Sequence, residues 1–343
     1  MMTLTLYLLF DGNCHQAMEF YKSCFGGELT STKVKDSPAK DYMPAVQQEK
    51  TVNARLKSGN VEISASDWLR LDRTRIPGNT VCPVSYTHLD VYKRQVYVAS
   101  PVALHAPQTI ASLRAGKHVL GEKPAAMDYA QAESMLAAAR ASGRLWGVAY
   151  YRRLYPKLLR TRQLIAEGAI GKPVLAEANC HSWLPVQERS WLWDPALAGG
   201  GPLYDIGSHR IDAFNFLFGH PAHATGLLSN AVHPLDVEDS ATVLIDYPGG
   251  VRGIVDVRWN SHVERDQFRV IGTDGEINLD PLNGAALRYA GREELLPAHA
   301  NLHYPAVENF VNAILDGTPL MCSGEEAIRT DWVTGEVMRQ AGH

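Results

Sequence analysis

Cysteine is scarce in this chain, basic charge has no excess, and no hydrophobic run is long, and each shortage removes a class of protein. The cysteines, Cys14, Cys24, Cys82, Cys180 and Cys322, number five in 343 residues. They are scattered, odd in number and never spaced CxxC, which excludes a disulfide framework and a zinc knuckle and fits a reducing cytoplasm. Lys and Arg number 33 against 37 acidic residues, a formal net charge of -4. Without a basic run there is no counterion-releasing surface, so no nucleic-acid partner is expected. The apolar run Leu4 to Phe10 is too short to span a membrane and lacks a basic start. It leads directly into Asp11-Gly12-Asn13, not into a small-residue cleavage site, so it reads as a strand and no membrane partner is expected.

What is present suits a globular chain of two or more domains, with 45% hydrophobic and 20% charged residues. Thr3 to Phe10 is β-rich. Cys14 to Phe25 carries Ala17, Met18, Phe20, Tyr21 and Phe25 at helical spacing and stops at Gly26-Gly27. Glu28 to Lys35, Thr51 to Leu56 and Asn60 to Ala65 alternate in part, so residues 1–82 read as a βαβββ unit with an antiparallel sheet, half of a domain. The passage from Tyr7 through Cys14, with Ala17 to Tyr21 and Phe25 to Leu29, resembles the opening of the PhnB-like branch of the vicinal oxygen chelate (glyoxalase) superfamily over about residues 2–82. That resemblance implies a cupped site shared by two such modules, often with His and Glu metal ligands. Asn53 stands where relatives often carry His, and a carboxamide is a poor transition-metal ligand, so no metal is assigned. His15 reads as a solvated side chain.

Residues Pro83 to Gln95 are polar, follow neither period, and resemble a translated sequencing-adaptor read-through found at broken ends of environmental gene models. The expectation is a junction between two unrelated gene fragments. From Val96 the pattern alternates: strand Val96 to Ala99, helix His105 to Ala115, strand His118 to Leu120, helix Tyr129 to Ala141 and strand Leu145 to Tyr150, a parallel sheet covered on both faces. After Tyr151 come a helical stretch (Leu158 to Glu167) and long β-rich runs (Val174 to Ser182, Ala241 to Tyr247, Val251 to Trp259, Asp266 to Ile271). Further helices are expected at Ile211 to Phe218, Pro305 to Leu315 and Glu325 to Arg339. Residues 96–150 therefore read as the C-terminal half of a Rossmann-like parallel sheet, and residues 151–343 as an α/β domain with a large, mostly antiparallel open sheet.

Gly121-Glu122-Lys123-Pro124 follows a strand at the carboxyl edge of the parallel sheet, where α/β folds bind ligands. Alone it is better read as a surface Glu-Lys pair before a proline turn. Gly199-Gly200-Gly201 puts three glycines where a side chain would obstruct, followed by Asp205 and, four residues on, His209; on a helix that spacing stacks the two on one face. With Val98-Ala99-Ser100-Pro101, His105, Gly116 to Val119, Tyr151-Arg152-Arg153, Gly168 to Pro173, Ile271 to Gly275, Asn301 to Tyr304 and Glu308-Asn309-Phe310, these motifs resemble the Gfo/Idh/MocA oxidoreductases from about Val96 onward. Leu192 departs from the arginine frequent there. The resemblance implies NAD or NADP as cofactor, held near Ser100, Pro101, His105, Glu122 and Lys123. It implies a small sugar-like substrate, proton transfer assisted by Lys123, acid or base action by His209, positioning by Asp205, and a homo-oligomer through the C-terminal sheet. No metal is needed, because a base near the carbinol and a cation near the developing alkoxide lower the barrier.

A dinucleotide fold also needs a first strand and a GxGxxG turn, and the chain has none: Tyr204 takes the third glycine position after Gly199 and Gly201. Weakened cofactor binding, little turnover and an exposed apolar edge on the remaining strands are therefore expected. Two other classes of function stay open, a glyoxalase-like small-molecule-binding or metal-dependent protein acting through residues 1–82, and a cofactor-free binding or assembly protein built on the C-terminal sheet. Saturable NAD(P) binding separates the first reading from both, and bound divalent metal favours the second.

Overall fold

A computed structural model describes residues 4–10, 12–41, 43–59, 61–67, 69, 95–185 and 191–342. The chain divides into two compact units, Met1–Val96 and Tyr97–His343. The junction expected at 83–95 lies, up to residue 94, outside the described residues, as do Thr3, Asp11 and Asn60.

In the first unit β1 (Leu4–Phe10), α1 (Cys14–Phe25), β2 (Glu28–Lys33), β3 (Thr51–Ser58) and β4 (Val61–Asp67) form a four-stranded sheet in the order β1-β4-β3-β2. Cys14 and Met18, four residues apart on one helix face, pack on Ala54 and Leu56 of β3 and Ile63 and Ala65 of β4. The βαβββ order agrees with the sequence reading, but the sheet is mixed: β1 pairs parallel with β4, while β2–β3 and β3–β4 are antiparallel. The helix returns the chain in the direction of β1, and two reversals later β4 runs alongside it. Asp67, unremarked in the sequence, is buried and accepts the backbone N–H groups of Gly12 (2.8 Å), Cys14 (3.0 Å) and Thr51 (2.8 Å), fixing the start of α1 against β3. His15 and Asn53 are exposed.

The second unit opens with β5 (Gln95–Val98), α2 (His105–Arg114), β6 (His118–Gly121), α3 (Tyr129–Ser142) and β7 (Trp146–Val148), close to the expected spans. The sheet order is β5-β6-β7, with β6 and β7 parallel. Asp128 caps α3 through the Gln131 N–H, and Gly143, at φ 61°, ends it in the left-handed conformation. The β7 edge of this sheet is covered, while β5 at the other edge has only β6 beside it among the described residues and leaves Tyr97 40% exposed. Gly147 bridges Ser323, and Val148 N–H donates to the Cys322 carbonyl at 3.0 Å. Trp146 and Val148 are consequently buried.

The remaining elements are α4 (Pro156–Ala166), β8 (Pro173–Trp183), α5 (Pro195–Ala198), α6 (Ser208–Phe218), β9 (His223–Ser229), β10 (Ser240–Asp246), β11 (Arg252–Arg258), β12 (Asn260–Gly272), β13 (Glu276–Asn278), β14 (Ala286–Tyr289), β15 (Arg292–Leu295), α7 (Tyr304–Leu315) and α8 (Gly324–Gln340). Eight strands make one sheet, β15-β14-β13-β12-β8-β11-β10-β9, antiparallel except for β8 beside β11. Val243, Ile245, Val255, Val257, Phe268 and Val270 point to one face, against Ile211 and Phe214 of α6 and Val333 and Val337 of α8. Strands β9 and β13–β15 were not anticipated: β9 buries only Ala224 fully, and the others are three or four residues long. Residues 97–343 form one compact unit. Among the described residues no helix is long and apolar enough to cross a membrane.

Candidate functional site

Lys123 lies just past the carboxyl end of β6, in a segment whose Lys123–Pro124 peptide is cis. Two residues beyond Pro124, Ala126 N–H donates to the buried Asp331 carboxyl (3.1 Å), which fixes the segment from α8. The Lys123 ammonium donates to Asp205 Oδ1 at 2.5 Å and to the Asp205 carbonyl at 3.0 Å. The pair is partly open, with 16% and 34% of the two side chains exposed. Glu122 turns the other way, accepting from the Tyr97 hydroxyl (2.5 Å) and the Lys123 N–H (3.2 Å), with His303 Nδ1 3.7 Å distant.

The helix expected to carry Asp205 and His209 is divided. Leu203–Gly207 is a π-helical turn, and α6 begins only at Ser208. The wider turn leaves the Asp205 carbonyl to accept from Lys123 and from Ser208 Oγ (3.1 Å). The triple glycine does make room, though for the protein's own groups. A Cβ on Gly199 or Gly200 would stand 2.7 or 2.5 Å from the Tyr204 ring, and one on Gly201 would strike the Glu238 carbonyl. Glu238 accepts the N–H groups of Gly201 (2.8 Å) and Leu203 (3.0 Å), and the Tyr204 hydroxyl donates to the Met127 carbonyl (2.9 Å). Asp205 is thus held between the β6 edge and the large sheet.

His209 is 5% exposed and flanked edge-on by Tyr150 (5.9 Å) and Tyr151 (5.0 Å). Its Nδ1 has no hydrogen-bond partner among the described residues. Burial, reinforced by the charges of Arg152, Lys123 and Arg210, pushes its pKa well below the usual histidine range, so the ring is neutral at pH 7. No direct bond joins His209 to Asp205; Lys123 stands within electrostatic reach of the ring while bonded to the carboxylate.

Of the residues expected to hold cofactor, Glu122 and Lys123 are half-buried at the sheet edge, and Ser100, also half-buried, donates to Gln108 Oε1 (2.9 Å). Pro101 is buried. His105 is placed otherwise than expected. It is 1% exposed, with Nδ1 2.8 Å from the Pro124 carbonyl and Nε2 2.9 Å from the Ser100 carbonyl. Both ring nitrogens are engaged within the protein, so His105 ties the loop after β5 to the loop after β6 and has no edge left for a nucleotide. Sequence reasoning gave no role to Arg210, Tyr155, Glu238, His303 or Asp331. Arg210 carried a signal in its place beside His209, and His303 in the Asn301 to Tyr304 motif. Among the described residues no cluster of His, Cys, Asp and Glu could hold a metal. A groove of about 360 Å³ between α3 and α8, lined by Glu133, Arg140, Glu325 and Arg329, includes none of Lys123, Asp205 and His209.

A lysine at the carboxyl end of a parallel strand is bonded to a carboxylate beside a neutral buried histidine, a set of groups chemically able to exchange protons with a small polar molecule. The oxidoreductase family model described by its NAD-binding Rossmann fold matches residues 80–150, starting upstream of Val96, and the GFO/IDH/MocA C-terminal domain model matches residues 158–278. The chain is 33% identical over 242 residues to a 1,5-anhydro-D-fructose reductase of Ensifer adhaerens, covering 68% of this chain and 73% of that one. It belongs to the Gfo/Idh/MocA oxidoreductase family. It spans only 55% and 58% of two further curated relatives. Among solved structures it is similar to the aldose-aldose oxidoreductase of Caulobacter crescentus complexed with glycerol (TM-score 0.65, 28% identity, 73% of this chain and 78% of that one). A levoglucosan dehydrogenase in complex with NADH and levoglucosan is similar to the same extent (TM-score 0.66, 25% identity, again 73% and 78%).

Proposed function

We propose that residues 97–343 act as an NAD(P)-dependent oxidoreductase on a carbinol of a sugar, polyol or related compound, with Lys123, Asp205 and His209 as the reacting centre. The observation that carries this reading is the contact of Lys123 Nζ with both the carboxylate and the carbonyl of Asp205, next to a neutral, buried His209. A bound nicotinamide, held near Lys123 and Glu122, would supply hydride exchange at the carbinol carbon. A ring nitrogen of His209 takes the hydroxyl proton. The Lys123 ammonium donates a hydrogen bond to the oxygen as negative charge develops there, and Asp205 keeps that ammonium in place.

The nicotinamide end of the cofactor suits this chain, because Lys123 and Glu122 stand at the carboxyl end of a parallel strand. The diphosphate end has no counterpart, since no GxGxxG occurs in the sequence, and this supports weakened nucleotide binding. The test is titration of the full chain with NADH and NADPH, followed by assays with neutral aldoses, anhydrosugars and polyols. Saturable binding of one nucleotide and turnover of at least one sugar are expected. Absence of both would overturn the reading.

For residues 1–82 we propose half of a vicinal oxygen chelate module, supported by the β1-β4-β3-β2 order and the helix between the first two strands. Stoichiometric divalent metal in equilibrium dialysis would make this unit a candidate functional part. The proposed join at residues 83–95 is tested by long-read sequencing of source DNA across the codons for Val81 to Val96: an uninterrupted neighbour on either side supports two gene fragments, and the intact join refutes them.

A further inference from the structure

Beside His209 the protein buries more hydrogen-bond donors than it satisfies. Arg210 follows His209 on α6, and its side chain is 2% exposed. It spends one nitrogen, Nη2, on Asp266 Oδ1 at 2.5 Å, while its buried Nε and Nη1 have no partner among the described residues. Arg152 repeats the pattern from the turn after β7. Its Nη2 donates to Asn283 Oδ1 (3.2 Å), its guanidinium lies 5.0 Å from the Tyr151 ring centre, and its buried Nε and Nη1 are unpartnered. The hydroxyl of Tyr155, a residue 4% exposed, has no partner either.

Buried N–H and O–H groups are almost always paired, because each one left over costs about 1–3 kcal/mol. Besides His209 Nδ1 and the Tyr150 hydroxyl, the orphans here are two edges of guanidinium and a phenol, an excess of donors over acceptors. Asp266 is the carboxylate bonded to Arg210, and its second oxygen accepts the Asn283 N–H at 2.9 Å. A third cation, the Lys157 ammonium, is held by the carbonyls of Leu279 (2.8 Å) and Pro281 (2.6 Å). The Arg210 charge helps to depress the Arg152 pKa, second to burial itself, so the two guanidinium groups repel across the site. A fold that needed only packing here would gain by replacing one arginine with an apolar residue. A ligand with oxyanion acceptors would satisfy both.

We propose that Arg152 and Arg210, with the Tyr155 hydroxyl, form a subsite for an oxyanion of the substrate, a carboxylate or a phosphate, so that the sugar-like molecule oxidised here is an acid or a phosphate ester. The inference rests on the proposed oxidoreductase reading for its link to turnover, while anion binding itself can be measured without turnover. Exposed Asn283 marks the side on which the cluster opens. Carboxylate and phosphate both accept the paired N–H groups of a guanidinium.

The test uses the full chain and three probes, D-glucose, D-gluconate and D-glucose 6-phosphate, each measured by calorimetry without nucleotide and then for turnover with it. One of the two anionic probes is expected to bind about ten- to hundred-fold more tightly than glucose, and which one it is distinguishes carboxylate from phosphate. Arg152→Met, which leaves the Arg210–Asp266 pair untouched, should abolish that preference. Arg210→Lys should reduce it if the variant folds. Equal binding of all three probes, or an anion preference unchanged in Arg152→Met, overturns the subsite. Anion binding without nucleotide binding or turnover would instead retain the subsite and refute the oxidoreductase reading.

Discussion

Arg153 and Lys123 both face a carboxylate, and the two pairs have opposite characters. The Arg153 guanidinium is 1% exposed and fully engaged: Nε and Nη2 grip Asp212 at 2.7–3.1 Å, and Nη1 donates to the Met321 carbonyl at 3.1 Å. Lys123 and Asp205 keep 16% and 34% of their side chains open. A saturated, dry pair has nothing left to offer a ligand and serves only to join elements, here the turn after β7, α6 and the segment before α8. A pair with open valences at a sheet edge can exchange partners with a substrate. Arg152, one residue from Arg153, falls on the second side of this division. Identical residue types thus divide by how many of their hydrogen bonds the fold completes.

The sharpest way to break the comparison is to remove one cation from each pair. Lys123→Met should lower kcat/KM by about 10²–10⁴-fold while leaving the thermal unfolding midpoint almost unchanged, since a part-exposed pair contributes little to stability. Arg153→Met should do the reverse. Leaving Asp212 charged and buried should cost about 3–5 kcal/mol in denaturant unfolding, and the double variant Arg153→Met/Asp212→Leu should recover most of it. If Lys123→Met unfolds the protein, or Arg153→Met is stable and merely inactive, the division is wrong.

A pH profile sharpens the same contrast at His209. Its depressed pKa means that the neutral base persists well below the ordinary histidine range, so the acid limb of kcat/KM should lie on the acid side of that range. The same shift makes stability fall as pH drops through the unfolded-state value of about 6.5, because only the unfolded chain takes up that proton there. An acid limb between pH 6.5 and 7.5 would show a solvated ring.

Much of this was legible in the sequence. The spans of α1, α3, α7 and α8 follow from apolar spacing and terminal signals such as Asp128 and Gly143. Lys123, Asp205 and His209 stand out in the sequence through the family resemblance, which the strand end and the glycine block carry only in combination with the other motifs. What escaped was what depends on partners distant in sequence. Nothing around Asp331 or Glu238 announces that they hold N–H groups of segments far along the chain. A π turn differs from an α turn by one backbone bond, which residue spacing does not encode, so the spacing of Asp205 and His209 could not show that the turn between them is π-helical. The parallel β1–β4 pairing depends on the direction of the whole crossover and not on the residues of either strand.

Asp331 offers a smaller, pH-dependent test. Burial, more than the nearby Asp212, raises its pKa to about 8. Between pH 4 and 8 the unfolded chain releases a proton that the folded chain retains, so wild-type stability should fall with rising pH across that window by at most about 1.4 kcal/mol per unit, levelling above 8. Asp331→Asn keeps an acceptor for Ala126 N–H without the ionisation. Its advantage over wild type in urea unfolding should grow from pH 5 to pH 8, and a constant difference would place Asp331 in a solvated setting.

The smallest effect is expected where an ion pair is neither saturated by the fold nor poised for a ligand. Arg140 of α3 and Glu325 of α8 meet at 2.7 Å with 63% and 65% of their side chains exposed. Water solvates both charges whether or not they touch, salt screens their attraction, and two long side chains lose rotamer freedom in meeting. Arg140→Ala should therefore shift stability by less than about 1 kcal/mol, and 0.5 M salt should erase even that difference. A larger, salt-resistant loss would mean that the α3–α8 contact depends on this pair and not on apolar burial, and exposure would then fail to rank the ion pairs of this protein.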